Sequence, residues 1–148
     1  MCTAQELGEK GEQFIFDLFE EAGREPVRVC GSDIALDGGY GLRIEVKAAR
    51  LTRRSDAPGK RYTFSLYRAR NGQVKTDARR SDLVCLLCYP TPAGGNGAPE
   101  PDVFAIPTAR LGSRRQVALP ENLVAYTGRW SWYAGFDRAV RELGENDG

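Results

Sequence analysis

Apolar positions recur with a helical period at the start of the chain and with other spacings further along it. Between residues 4 and 22 they return every three or four positions, after a capping-box pattern of Thr3 and Glu6, which predicts one amphipathic helix. The segment VRVC predicts a short extended stretch. DIAL, a turn at residues 37–39 and YGLRIEVKAA then predict a β-hairpin.

The rest of the chain predicts further strands and a closing helix. Residues 50–60 indicate a loop, and NGQVKTDARR a basic turn region. The alternating segment RYTFSLYRA predicts a strand whose apolar face is Tyr62, Phe64 and Leu66. The run DLVCLLCY is typical of a strand buried on both faces, and DVFAIP predicts another strand after a Gly/Pro-rich loop at 91–101. The tail predicts a helix with an apolar face of Tyr133, Phe136, Val140 and Leu143.

This order of helix, strands and helix predicts a single α/β domain over residues 1–148, with helices against a central β-sheet. No apolar run approaches the roughly 20 residues that cross a bilayer, and the first residues lack a secretory-signal pattern, so we expect a cytoplasmic protein without a membrane partner. Cys85 and Cys88 have CxxC spacing, but the chain has no histidine and only two distant further cysteines. Two core thiols are therefore favoured over a zinc site or a redox pair.

Charge is distributed unevenly although the net charge is only +1. Residues 1–42 carry nine acidic and three basic residues, whereas residues 43–80 carry twelve basic and three acidic ones. A basic stretch of this strength suits a polyanion held through its phosphates, although a solvated basic face is the alternative.

The hairpin places unlike charges within one small volume. Glu45 and Lys47 lie two apart on a strand and so share a face, and Asp33 starts the partner strand near the Glu45 end. Adjacent carboxylates favour a divalent cation, and oxygen ligands suit Mg²⁺ or Mn²⁺. We expect Asp33, Glu45 and the Val46 carbonyl to hold the metal, and Lys47 to orient a water or neutralise developing charge.

The stretch SDIALDGGYGLRIEVK resembles the active-site hairpin of the PD-(D/E)xK nuclease superfamily, with Glu45-Val46-Lys47 as the ExK element and Asp33 as the first acid. The nearer resemblance is to archaeal-type Holliday-junction resolvases and homing-type PD-(D/E)xK endonucleases, over roughly residues 8–107. It implies a restriction-endonuclease-like core with a mixed central sheet flanked by helices. It also implies a metal-binding role for Glu12 on the first helix. Ser32 stands where a proline often precedes the first acid.

Several alternatives stay open at this level. Asp37 is a second candidate for the first acid, although its place beside two glycines favours a turn. Glu12 can instead be a solvated helix position, and Glu45 with Lys47 a surface ion pair. The two tryptophans, Trp130 and Trp132, are more typical of a core or a dimer contact than of base stacking.

The resulting hypothesis is a metal-dependent endonuclease that hydrolyses DNA, with Glu12, Asp33, Glu45 and Lys47 as its catalytic set. A double-strand or junction cutter of this size would be a homodimer. The alternative is a catalytically silent nuclease-fold module that binds DNA or a protein. The residues expected to contact the nucleic-acid backbone follow the ExK strand, and they are Arg50, Arg53, Arg54, Lys60 and Arg61.

Overall fold

The computed structural model describes residues 4–30, 32–53, 59–70, 73–77, 80–90, 100–122, 129–135 and 141. Its first element is helix α1, Ala4–Glu21, which confirms the predicted amphipathic helix to within one residue. The helix buries Leu7, Ile15 and Phe19 against the sheet. It ends where Gly23 adopts a positive φ of 74°, a conformation that glycine reaches without the steric cost of a Cβ.

The central feature is a five-stranded sheet. Its strands are β1 (Val27–Arg28), β2 (Ile34–Ala35), β3 (Arg43–Arg50), β8 (Leu83–Tyr89) and β9 (Asp102–Pro107). They lie side by side in that order, with β3 and β8 parallel and every other neighbouring pair antiparallel. The sheet is therefore mixed, and with α1 packed on it the predicted α/β fold class is confirmed.

Strand β8 lies second from the edge, and all seven of its residues are buried. The prediction of a strand covered on both faces is therefore confirmed. Cys85 and Cys88 are free thiols in this buried strand, and burial raises the pKa of the Cys85 thiol to about 12. These two cysteines are core residues, as the sequence favoured, because a thiol that stays protonated is a poor nucleophile and metal ligand.

Gly11 sets the distance between α1 and the sheet. A Cβ at this position would lie 3.3 Å from the Cβ of Ala48 and 3.8 Å from a methyl of Val46. The glycine therefore lets the helix backbone approach β3 on the face that carries Val46 and Ala48. The next helix residue, Glu12, is brought to the edge of the same strand.

Two smaller sheets complete the described part. One orders β10 (Gln116–Pro120), β5 (Lys60–Ser65) and β4 (Thr52–Arg53), and the other pairs β6 (Tyr67–Arg70) with β7 (Gln73–Asp77). The predicted loop 50–60 thus contains a short strand, the predicted basic turn contains β7, and RYTFSLYRA divides into β5 and β6. Strands β4 and β7 pair with the nearby strands β5 and β6, although their polar, Gly- and Pro-containing surroundings are typical of loops. Strand β5 also pairs with the distant β10, for example Phe64 with Val117, and local composition does not predict such a pairing.

The segment after β9 contains a four-residue helix, α2 (Thr108–Leu111), that was not predicted. Farther along, a 3₁₀ segment at Arg129–Tyr133 buries Trp130 and Tyr133. The chain then lies along β9, where the Gly135 N–H donates to the Val103 carbonyl at 2.6 Å. Of the predicted C-terminal helix, Phe136, Val140 and Leu143 lie outside the described residues.

Candidate active site

Asp33 lies at the point where β2 and β3 stop pairing. The last paired residues are Ile34 and Ile44, so Asp33 and Glu45 are each one residue beyond that pair. The Asp33 N–H donates to the Ile44 carbonyl at 3.1 Å, and its Oδ2 accepts from the Val46 N–H at 2.7 Å. The Asp33 carboxylate therefore accepts the hydrogen bond of a β3 backbone N–H that has no partner strand beside it, because β2 ends at Ile34. This bond fixes the carboxylate beside the ExK segment.

Glu12 reaches the same edge from α1. One of its carboxylate oxygens, Oε2, accepts from Arg28 Nη1 at 2.8 Å, and its carboxyl group lies close enough to that of Asp33 for the two to interact. Burial, and then the charge and hydrogen bond of Asp33, raise the pKa of Glu12 from its ordinary 4.5 to about 7, while Arg28 acts in the opposite direction. The structure thus brings two acids of the predicted set into contact, and the view of Glu12 as a merely solvated position does not hold.

Glu45 and Lys47 project to the other face of β3. Val46 and Ala48 face α1 at Gly11, so the alternation of the strand turns the Glu45 and Lys47 side chains away from the helix. Lys47 Nζ lies 3.4 Å from Glu45 Oε1, and their side chains are only 18% and 12% exposed. This is a largely buried pair and not a surface ion pair, and burial costs both charges much of their hydration, which offsets their attraction.

The site is therefore arranged around one strand edge. Glu12 lies on the helix side of β3, Glu45 and Lys47 lie on the opposite side, and Asp33 lies at the edge between them. The Val46 N–H points to this edge, and because the N–H and carbonyl of a strand residue point the same way, so does the Val46 carbonyl.

The chemistry of these donors fits a hard divalent cation. They are carboxylate and carbonyl oxygens, and a cation is the partner that would relieve the repulsion between Glu12 and Asp33. In the part of the chain that the structure describes, no three His, Cys, Asp or Glu side chains already form a ligand cluster. By donor type, these groups fit Mg²⁺ or Mn²⁺. Glu12 and Asp33 lie close to each other, whereas Glu45 lies on the opposite face of β3.

Arg28 is a site residue that the sequence did not reveal. Besides its bond to Glu12, its second guanidinium nitrogen donates to Gln13 Oε1 at 3.0 Å, and the group lies 5.2 Å from the Phe16 ring centre. The guanidinium is thus held by three residues of α1 and directs the Glu12 carboxylate. The available signal was a single basic residue in the apolar segment VRVC, five positions before Asp33.

Ser32 has a structural role in place of the proline. It is buried, and its hydroxyl lies 2.9 Å from that of Ser81, which precedes β8. Asp37, the alternative first acid, lies in the turn with a φ of 54° and is 4.0 Å from Arg24, so the turn interpretation is confirmed.

The residues predicted to contact the nucleic-acid backbone lie at the C-terminal end of β3 and beyond it. Arg50 is the last residue of β3 and not part of a loop, about 16 Å from Glu45 at 3.3 Å per residue. Lys60 and Arg61 line an open groove of about 410 Å³ between β5 and β10. The side chain of Arg53 and all of Arg54 lie outside the described residues.

Comparison with known proteins supports the fold. No protein-family model matches the chain, and no curated protein sequence matches it significantly. The fold is similar to that of a solved bacterial homing endonuclease, I-Ssp6803I, with a TM-score of 0.64 and 12% identity over 98% of this chain and 97% of that one. The two proteins thus share one architecture along nearly the whole of both chains.

No helix in the described ranges is both long and apolar enough to span a membrane.

Proposed function

We propose that this protein is a metal-dependent endonuclease of the PD-(D/E)xK type that hydrolyses phosphodiester bonds in DNA. The observation that carries the proposal is the placement of Glu12, Asp33, Glu45 and Lys47 around one edge of β3, in a fold similar to that of a homing endonuclease. Neither feature alone is sufficient, because a fold can host many functions and an ExK segment occurs in many strands.

In this proposal the oxygen donors Glu12, Asp33, Glu45 and the Val46 carbonyl hold Mg²⁺ or Mn²⁺. When bound, the metal polarises a phosphate oxygen and lowers the pKa of a coordinated water. The protein groups have separate tasks. Asp33 is fixed by the Val46 N–H, Arg28 directs Glu12, and Lys47 supplies a cation that balances the negative charge developing on the phosphate.

The near-burial of Glu45 and Lys47 supports a catalytic function for the pair. A structural ion pair at this position brings little stability, because desolvation of both groups offsets their attraction. A phosphate placed beside Lys47 gives the ammonium a second anionic partner and leaves Glu45 available to a cation. The pair is thus suited to separate when substrate and metal bind.

The test is cleavage of supercoiled plasmid, linear duplex, single-stranded DNA and a four-way junction with Mg²⁺, Mn²⁺ or EDTA. We expect metal-dependent cleavage by the wild type and its loss in Glu45→Ala and Lys47→Ala, with DNA affinity retained. The preferred substrate then distinguishes a resolvase-like from a homing- or restriction-like enzyme, and a homodimer is expected if both strands are cut.

The alternative function is a catalytically silent module that binds DNA or a protein. It is favoured by one observation, that the described residues contain no preassembled cluster of three acidic ligands. This alternative predicts that no substrate is cut under any metal condition. DNA binding then identifies a DNA-binding module, and its absence favours a protein-binding one.

A further inference from the structure

A surface beside the edge strand β9 of the five-stranded sheet combines arginines with tryptophan. Its four arginines are all exposed, and we call them the outer arginine surface: Arg110, Arg114, Arg115 and Arg129. They belong to the segments 108–119 and 129–135, which contain no aspartate or glutamate. A surface with several guanidinium groups, drawn from segments without acidic residues, is complementary to a polyanion.

Trp130 organises part of this surface. The guanidinium carbons of Arg114 and Arg129 lie 5.3 and 5.9 Å from the centre of its ring. Two positive groups are therefore held close to one buried indole, although they come from segments separated in the chain. Arg114 also donates to the Leu111 carbonyl at 3.2 Å, which restricts its side chain further. Holding these groups in place lowers the entropy cost of binding phosphates.

The outer arginine surface begins at the end of the sheet where the acidic site lies. Ile44 of β3 is in register with Leu83 of β8, which is in register with Pro107 of β9. Two strand spacings of about 4.8 Å thus place the start of α2 about 10 Å from Ile44. This separation is comparable to the roughly 12 Å width of the DNA major groove.

Hydrogen bonds connect the start of α2 with the start of β3. The Thr108 N–H donates to the Asp82 carbonyl at 2.9 Å, and the Asp82 carboxylate accepts from the Arg43 N–H at 2.9 Å. Arg43 begins β3 beside Ile44 and Glu45. The start of α2 is therefore held in a fixed position relative to the strand that carries the ExK segment.

We propose that the outer arginine surface binds the phosphate backbone of the same DNA molecule whose scissile phosphate lies at Asp33. This inference rests on the proposed function and adds to it a second contact region, separate from Lys60 and Arg61. Phosphate contacts of this kind set the position and orientation of the duplex and do not read its sequence.

The test is the salt dependence of DNA binding, measured by fluorescence anisotropy in EDTA so that metal-dependent cleavage does not interfere. Each phosphate contact contributes about 0.9 to the slope of log affinity against log salt for duplex DNA. We expect Arg114→Gln and Arg129→Gln each to lower that slope by about 1. Arg114→Lys and Arg129→Lys keep the charge and are expected to keep the slope.

Two further variants serve as a backup and a control for this test. Arg110→Gln removes another exposed charge of the same surface, and is expected to lower the slope similarly if the Arg114 or Arg129 variants fold poorly. Arg24→Gln is the matched control, because it removes one arginine charge that pairs with Asp37 in the hairpin turn, and it should leave the slope unchanged.

Unchanged slopes in all three outer-surface Gln variants, with normal DNA binding by the wild type, would overturn this inference and leave the proposed nuclease function intact. An equal effect of Arg24→Gln would also overturn it, because net charge would then explain the result. Failure of the wild type to bind DNA at any salt concentration would overturn both proposals. A change in sedimentation without a change in slope would reassign the surface to contacts between copies of this chain.

Discussion

Replacing Glu12 by Gln should stabilise the metal-free protein at pH 8 and leave its stability nearly unchanged at pH 4.5. The pKa of the Glu12 carboxyl is raised from 4.5 to about 7 by burial and by the charge and hydrogen bonding of the nearby Asp33. Gln keeps an oxygen that can accept from Arg28 and offers an N–H that can donate to Asp33, so the substitution removes a charge without removing the contacts.

The sign of the effect follows from linkage. An acid whose pKa is higher in the folded than in the unfolded protein imposes no penalty below the unfolded value, and its penalty grows as the pH rises from 4.5 to 7. The full shift corresponds to about 3.4 kcal/mol at 1.36 kcal/mol per pKa unit. Because the Glu12 side chain is 30% exposed, solvent screening reduces the expected gain of Glu12→Gln to about 1–2 kcal/mol.

The measurement is urea denaturation of wild type and Glu12→Gln in EDTA at pH 4.5, 6 and 8. Each kcal/mol should also raise the melting temperature by about 2–4 °C in a domain of this size. Glu9→Gln is the matched control, since it replaces an exposed glutamate of the same helix and should change stability by less than about 0.5 kcal/mol. A difference between wild type and Glu12→Gln that is the same at every pH would refute the inferred conflict between Glu12 and Asp33.

Three further predictions concern the edge of β3. Asp33→Asn keeps an oxygen for the Val46 N–H and should retain the fold while losing metal-dependent cleavage; Asp33→Ala leaves that N–H without its partner and should cost about 1–3 kcal/mol in urea denaturation. Arg28→Gln removes the two interactions that lower the pKa of Glu12, so the pH of half-maximal cleavage should rise, whereas an unchanged pH profile would separate Arg28 from Glu12. Gly39→Ala places a Cβ at a φ of 104° and 3.3 Å from a Val27 methyl, so it should destabilise the hairpin by about 1–2 kcal/mol; equal stability would contradict the turn geometry.

The sequence predicted those elements whose signal is local. The helical period defined α1, the glycine turn joined β2 to β3, and continuous apolarity identified β8 as a buried strand. The short strands β4 and β7 and the division at Leu66 were not predictable in the same way, because β4 and β7 are short, polar strands whose Pro/Gly-rich and charged sequence is typical of loops, and the pairing of β5 with β10 comes from a segment about 50 residues away.

The candidate site was likewise predictable where its features are local to the hairpin, and not where they depend on contacts with α1. Period two placed Glu45 and Lys47 on one face, and the hairpin placed Asp33 at the Glu45 end, both of which agree with the structure. The contact between Glu12 and Asp33 was implied only by resemblance, because it depends on how closely Gly11 lets α1 approach β3. Arg28 was not predictable from the sequence, because its role comes from contacts with α1 and not from its own strand.

The most direct test of the nuclease proposal is the rate at which saturating wild type and Asp33→Asn nick supercoiled plasmid in Mg²⁺, with DNA affinity and melting temperature measured on the same preparations. The proposal predicts nicking by the wild type that EDTA abolishes, and a loss of at least about 100-fold in Asp33→Asn at unchanged affinity. Equal rates in the two proteins, or no Mg²⁺-dependent or Mn²⁺-dependent nicking by a folded wild type that binds the plasmid, would contradict it.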